Sequence, residues 1–271
     1  MENKEPESKL SVPVAILVAG LLVAGAIFFT SNESKKEVKD EPATTAGPIP
    51  EIVINPITAA DHQLGNPEAK LTIVEYSDTE CPFCKSYHVT MKHILADYGK
   101  DGSISWVYRH FPLAELHPKA PKEAEATECV AELGGENQFW KYIDTIFEVT
   151  PSNNRLEAAE LPKIATNLGI NTTAFNKCLA SGKHAEKVQK SYEDATTAGG
   201  RGTPYSVIIL KEPVGKESAA LIAQTNSSFL AQLPAGSPDI LFVSKDKMRV
   251  GVSGAIPEEV LRTVLNSLLK K

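Results

Sequence analysis

The residues best placed to do chemistry are two thiols, Cys81 and Cys84, in the stretch "IVEYSDTECPFCKSYH" at residues 73–88. An apolar run containing Glu75 precedes them, and Pro82, a residue suited to the first turn of a helix, follows the first thiol. At a helix N-terminus the unpaired backbone N–H groups and the helix dipole stabilise an anion, so Cys81 is expected to ionise readily. The thiolate is the reactive form. Cys84, one turn further in, is then close enough to attack a mixed disulfide on Cys81 and release the partner. Cys81 is read as the nucleophile and Cys84 as the resolving thiol. Metal binding is the competing chemistry, since His88 and His93 follow closely. On one helix, however, Cys84 and His88 are neighbours while His93 lies on another face, so the four do not converge tetrahedrally. No metal ligands are assigned.

These thiols need a strand before them and a helix after them. "LTIVEYS" (71–77) is rich in β-branched and aromatic residues and reads as a buried strand. The helix opened by Pro82 is expected to run to about Tyr98 and stop at Gly99. "SISWVYRHF" (103–111) reads as a second strand after a Lys-Asp-Gly turn, which makes a β-α-β unit with parallel strands. Residues 115–200 carry helical signals throughout and read as an all-helical insertion, with Asn171 as an N-cap and Gly199-Gly200 as a stop. Phe139, Ile143 and Phe147 form a stripe that suits a core, and His62, His110 and His117 suit capping or packing. Strands resume at 205–210, 239–244 and 248–254, and an amphipathic helix from Pro257 closes the chain. The segment 211–238 suggests one short helix, "ESAALIAQ", within polar loop.

The whole chain of 271 residues is 42% hydrophobic and 23% charged, which suits a folded protein with a sizeable core. A net charge of -6 and the lack of a local basic patch give no support for nucleic acid as a partner. Residues 12–29 contain no charge and are long enough to cross a bilayer. They read as an uncleaved anchor; a cleaved signal is the alternative, disfavoured by the absence of a convincing small-x-small site. The flanking lysines do not settle its orientation. The expected organisation is a tail at 1–10, an anchor at 11–30, a solvated linker at 31–50 and a folded domain at 51–271. Cys129 and Cys178 complete an even set of four cysteines, as an oxidising compartment permits. By themselves they fit either two free buried thiols or a disulfide. Glu75 is equally open: strand alternation alone allows it to face solvent.

With these residues in place, the sequence resembles the DsbA-like family of thiol:disulfide oxidoreductases. The matching stretches are "DHQLGNPEAKLTIVEYSDTECPFC", "YRHFPLAELHPKAPKEAEATEC", "FNKCLASGK" and "GRGTPY", over about residues 58–210. The resemblance implies an α/β, thioredoxin-like fold carrying the helical insertion, preceded here by the single transmembrane helix. It implies a cis bond at Thr203-Pro204 opposite the thiols, with Thr203, Pro204 and Phe83 meeting an extended substrate, and a disulfide between Cys129 and Cys178. It also implies that Glu75 is a buried acid beneath the site that exchanges protons with Cys84.

Functionally it implies a membrane-tethered oxidase with its catalytic domain outside the cytoplasm, acting on unfolded or folding exported proteins. A quinone-linked membrane partner would re-oxidise it, and no soluble cofactor is needed because the dithiol/disulfide pair carries two electrons. A reductase or isomerase on the same fold, a metal-delivery protein and an inert binding module are the alternatives. Strongly oxidising relatives often carry histidine just before the second cysteine. Phe83 stands there in this chain, and Asp78 and Glu80, if close, would raise the Cys81 pKa, so a milder oxidase is expected.

Overall fold

Seven consecutive residues from Leu71 to Ser77, all buried, make the strand that carries the site, and burial on both faces explains its composition. In the computed structural model, which describes residues 51–270, it is β2. On one face Leu71 and Ile73 join a core built with Tyr87, Met91, Trp106 and Tyr108. On the other, Val74 and Tyr76 pack with Ile52, Phe111 and Tyr205. The strand therefore has no solvent face for Glu75 to occupy.

α1 (Pro82–Tyr98) follows, then β3 (Ile104–His110), which pairs parallel to β2 with Glu75 opposite Tyr108 and Ser77 opposite His110. The expected β-α-β unit is present, with β2 and α1 at their expected bounds and β3 one residue shorter at each end. A short strand not anticipated from sequence, β1 (His62–Gly65), pairs antiparallel with β3 at the sheet edge. Its four residues, His-Gln-Leu-Gly, hold one large apolar side chain and end in glycine, so they give no alternating signal.

The insertion is helical, as expected: α2 (Ala120–Gly134), α3 (Glu136–Val149), α4 (Glu160–Asn167), α5 (Thr172–Ser181) and α6 (Ala185–Thr197). Asn171 caps α5, its Oδ1 accepting from the Ala174 N–H at 2.9 Å. α6 stops where Gly199 turns to φ +98°, and a side chain at Gly200 would meet the Ala195 carbonyl at 2.9 Å. The insertion has its own core, in which Tyr142, Ile146, Phe175 and Ile164 surround a Cys129–Cys178 disulfide joining α2 to α5. Phe139, Ile143 and Phe147 face the main core.

The chain returns through β4 (Tyr205–Leu210), antiparallel to β2. β5 (Leu241–Val243) and β6 (Arg249–Ser253) complete a sheet ordered β1-β3-β2-β4-β6-β5. Between β4 and β5, α7 (Lys216–Leu230) is nearly twice the length expected. Its later turns, "QTNSSFL", have weak helical propensity, but Ile222 and Phe229 reach the core and hold them. Asn226 then accepts the N–H groups of Ile240 and Leu241, fixing the start of β5. α8 (Glu258–Leu269) packs Leu261, Val264 and Leu265 under the sheet. Among the described residues no helix is long and apolar enough to cross a membrane. The anchor expected at residues 11–30, like the tail and linker around it, lies outside them.

Candidate active site

The site stands where β2 gives way to α1. Cys81 is the N-cap residue, with extended backbone, and Pro82 occupies the first helical turn. The helix therefore begins at Cys81, as the sequence indicated. Cys81 and Cys84 are both free thiols, and Cys84 is completely buried. Phe83, between them, is 62% exposed and forms an apolar rim beside the thiol.

The two thiols have opposite tendencies. The Cys81 pKa is pulled down to about 6, first by a hydrogen bond from the Cys84 thiol, with help from Thr203 and the N–H groups of Phe83 and Cys84, against the cost of burial. Cys84 is pushed well above the usual thiol value by burial and by the charge that Cys81 carries. At neutral pH the pair is a thiolate held by a thiol. Asp78 and Glu80, expected to oppose ionisation if close, are tied elsewhere. Asp78 accepts from the N–H groups of Glu80 and Leu113, both at 2.8 Å, and pairs with His117 at 2.9 Å. Glu80 accepts from the N–H groups of Asn154 at 2.7 Å and Leu156 at 3.1 Å, clasping the loop between α3 and α4.

Across the site, the Thr203-Pro204 bond is cis and the Thr203 carbonyl lies 3.4 Å from Cys81 Sγ. Beside it a groove of about 500 Å³ is lined by Arg201, Thr203, Tyr205, Ile240 and Gly254, among others. Below, Glu75 is fully buried and its carboxyl is pushed up to about 7, burial outweighing the pull of the Ser77 hydroxyl and the Trp106 indole. These two groups face the carboxyl without forming a hydrogen bond to it. Glu75 contributes its charge to the raised Cys84 pKa, which places it beneath the inner thiol. The structure thus gathers Cys81, Cys84, Glu75, Phe83, Thr203 and Pro204 in one place. Cys129 and Cys178 lie apart from them in the insertion, bridged with Cα atoms 5.9 Å apart.

The three histidines expected to cap or pack are buried, and His62 and His110 pack against Phe139. His62 and His110 also share the buried Glu128 carboxylate, at 3.1 and 3.0 Å, and His117 hydrogen-bonds to Asp78 at 2.9 Å. A histidine cannot be assigned such a partner from sequence when the acid is remote in the chain. His88 and His93, weighed as metal ligands, pair instead with Asp144 and Glu258. Ser77 and Tyr108 were not anticipated at the site. The signal for Ser77 was available, since it lies two residues from Glu75 and so on the same face of β2. Tyr108 required the strand register.

This arrangement can exchange a disulfide with a partner chain: an ionised outer sulfur, a protonated inner one and an acid below it. Comparison with known proteins gives the same fold. The family model described as Thioredoxin matches residues 58–221. Among solved structures, Wolbachia pipientis alpha-DsbA1 is 20% identical, covering 79% of this chain and 93% of its own, with a TM-score of 0.58. DsbA2 of Pseudomonas aeruginosa is 22% identical, covering 80% and 98%, with a TM-score of 0.53. Oxidised BdbD from Bacillus subtilis is also 22% identical, covering 62% and 90%, with a TM-score of 0.52. Among curated sequences, the Na(+)/H(+) antiporter NhaA 3 of Salinispora tropica is 34% identical over 144 residues, 53% of this chain and 21% of the antiporter. The chain spans only about a fifth of that protein, so ion transport is not carried over. The chain belongs to the thioredoxin family, and its architecture is that of the DsbA-like thiol:disulfide oxidoreductases.

Proposed function

We propose that this thiol:disulfide oxidoreductase introduces disulfides into exported proteins as they fold, through the Cys81–Cys84 pair. The observation that carries the reading is the opposed ionisation of the two thiols, one at the helix start and the other fully buried above Glu75. A substrate thiolate attacks Cys81 of the oxidised pair, and the Cys81–Cys84 bond breaks with its electrons leaving on Cys84. A second substrate thiolate then displaces Cys81, which departs well because its thiolate is stabilised. Glu75 exchanges the proton with Cys84. Thr203, Pro204 and Phe83 receive the substrate as an extended segment beside the nucleophile.

The dithiol pair carries both electrons itself, and a quinone-linked membrane partner re-oxidises it. The Cys129–Cys178 bridge supports an oxidising, extracytoplasmic setting. The uncharged run at residues 12–29 supports a single-pass tether with the short N-terminus inside. Replacing Cys84 with alanine tests the assignment in the reverse direction of the exchange, because the lone Cys81 thiolate still attacks a substrate disulfide while the attack of Cys84 that would release the mixed disulfide is lost. Substrates are expected to accumulate as mixed disulfides on Cys81, visible on non-reducing gels and released by reductant. Absence of thiol-linked partners, with wild-type activity present, would refute the roles given to the two cysteines.

A further inference from the structure

Five buried polar atoms crowd one place beneath Cys84, and none has a hydrogen-bond partner: both carboxylate oxygens of Glu75, Ser77 Oγ, Trp106 Nε1 and Tyr108 OH. An orphaned buried polar group costs about 1–3 kcal/mol, so such a cluster beside a redox-active thiol calls for an explanation. Ser77 is its hub. It follows Glu75 by two residues on the same face of β2 and is buried. The next backbone N–H, of Asp78, donates to Cys84 Sγ at 3.4 Å, which sets the end of β2 against the inner sulfur.

We propose that the Ser77 hydroxyl relays the proton between Glu75 and Cys84. The inference rests on the oxidoreductase reading above and adds a residue to it. Ser77 is the hydroxyl near enough to act on Glu75, Cys84 and Tyr108 alike, with its Oγ committed to no other hydrogen bond. A serine hydroxyl both donates and accepts, so it can give a proton to one side while taking one from the other. The Trp106 indole only donates and cannot relay. Tyr87 accepts from the Ser206 hydroxyl at 3.2 Å, and Tyr108, opposite Glu75 on β3, is kept protonated by burial and by the charges of Glu75 and Cys84. The other charged group nearby, Asp78, is held by Leu113, Glu80 and His117.

The step balances with the groups present. When the substrate thiolate forms its bond to Cys81, the Cys81–Cys84 electron pair leaves on Cys84 Sγ. Ser77 passes its hydroxyl proton to that sulfur and takes the proton of the Glu75 carboxylic acid, leaving Glu75 as a carboxylate. Re-oxidation returns the proton by the same route.

The test compares wild type, Ser77→Ala, Ser77→Thr and Glu75→Gln in full-length protein, following oxidation of a dithiol peptide by rapid quench across neutral pH. Loss of one proton-transfer partner is expected to slow Ser77→Ala about tenfold and to flatten the pH dependence near neutrality. Ser77→Thr, which keeps the hydroxyl, is expected to restore rate and profile, and the alkylation pH profile of Cys81 should stay where it is. A Ser77→Ala rate equal to wild type, with Glu75→Gln slow, overturns the relay and leaves the proposed function standing. Full activity in both variants overturns the relay and the Glu75 role together. A shifted Cys81 profile, or failure of threonine to rescue, makes Ser77 structural and overturns the relay. Wild type alone gives a further readout that does not depend on variant folding. Two protons in flight require a curved dependence of rate on the deuterium content of the solvent, and a linear dependence overturns the relay.

Discussion

Glu75 is a carboxylic acid enclosed by a sheet and two layers of side chains, and its burial has a cost that depends on pH. With its pKa pushed up to about 7, the folded protein binds a proton that the unfolded chain has already released above the ordinary carboxylate range. The stability conferred by the protonated form is complete below the unfolded value, declines as pH rises toward 7, and stays low above it. At 1.36 kcal/mol per pKa unit, the loss is on the order of 3 kcal/mol. Glu75→Gln removes this dependence, so its stability relative to wild type should rise between pH 4.5 and pH 8. Denaturant unfolding of both proteins in the same redox form measures it; an equal difference at the two pH values would contradict the buried acid. The role of Glu75 was only half legible in the sequence. The family resemblance pointed to the site, but alternation left its face open, and only the packing of both faces of β2 removed that choice.

The elements were legible wherever local pattern and tertiary burial agree. The strand at 71–77, the helix opened by Pro82 and the Asn171 cap each follow from residues within one turn or one strand length. β1 and the second half of α7 were not legible because their stabilisation is remote: β1 exists by pairing with β3, and α7 by the docking of Ile222 and Phe229. Between α3 and α4 the backbone takes three consecutive left-handed residues, Ser152, Asn153 and Asn154, at φ 60°, 55° and 64°. Glu80 binds the N–H groups presented by this loop, so the turn just before Cys81 and the insertion are fastened together. The disulfide stiffens the same insertion further out. Closing a loop of 49 residues contributes roughly 4 kcal/mol in the chain-entropy model. Replacing Cys129 and Cys178 together with serine should lower the melting temperature by several degrees while leaving Cys81 alkylation nearly unchanged. Intact-mass analysis after thiol blocking checks the bridge itself, since labelling of both cysteines in the native protein would refute it.

At the scale of the whole molecule the question is the direction of electron flow. Cys81 is held as a thiolate chiefly by the Cys84 thiol, with the N–H groups of the first turn of α1 helping, and stabilising the reduced form makes the disulfide a stronger oxidant. Phe83 supplies neither charge nor donor between the thiols, so the pair relies on the fold alone. The protein is therefore expected to be an oxidase of intermediate strength. The measurement that tests this most directly is equilibration of the purified protein in glutathione redox buffers, with Phe83→His alongside. A potential between the roughly -120 mV of DsbA and the roughly -270 mV of thioredoxin is predicted, with the histidine variant more oxidising. A wild-type potential at or below that of thioredoxin would contradict the oxidase and make the protein a reductase.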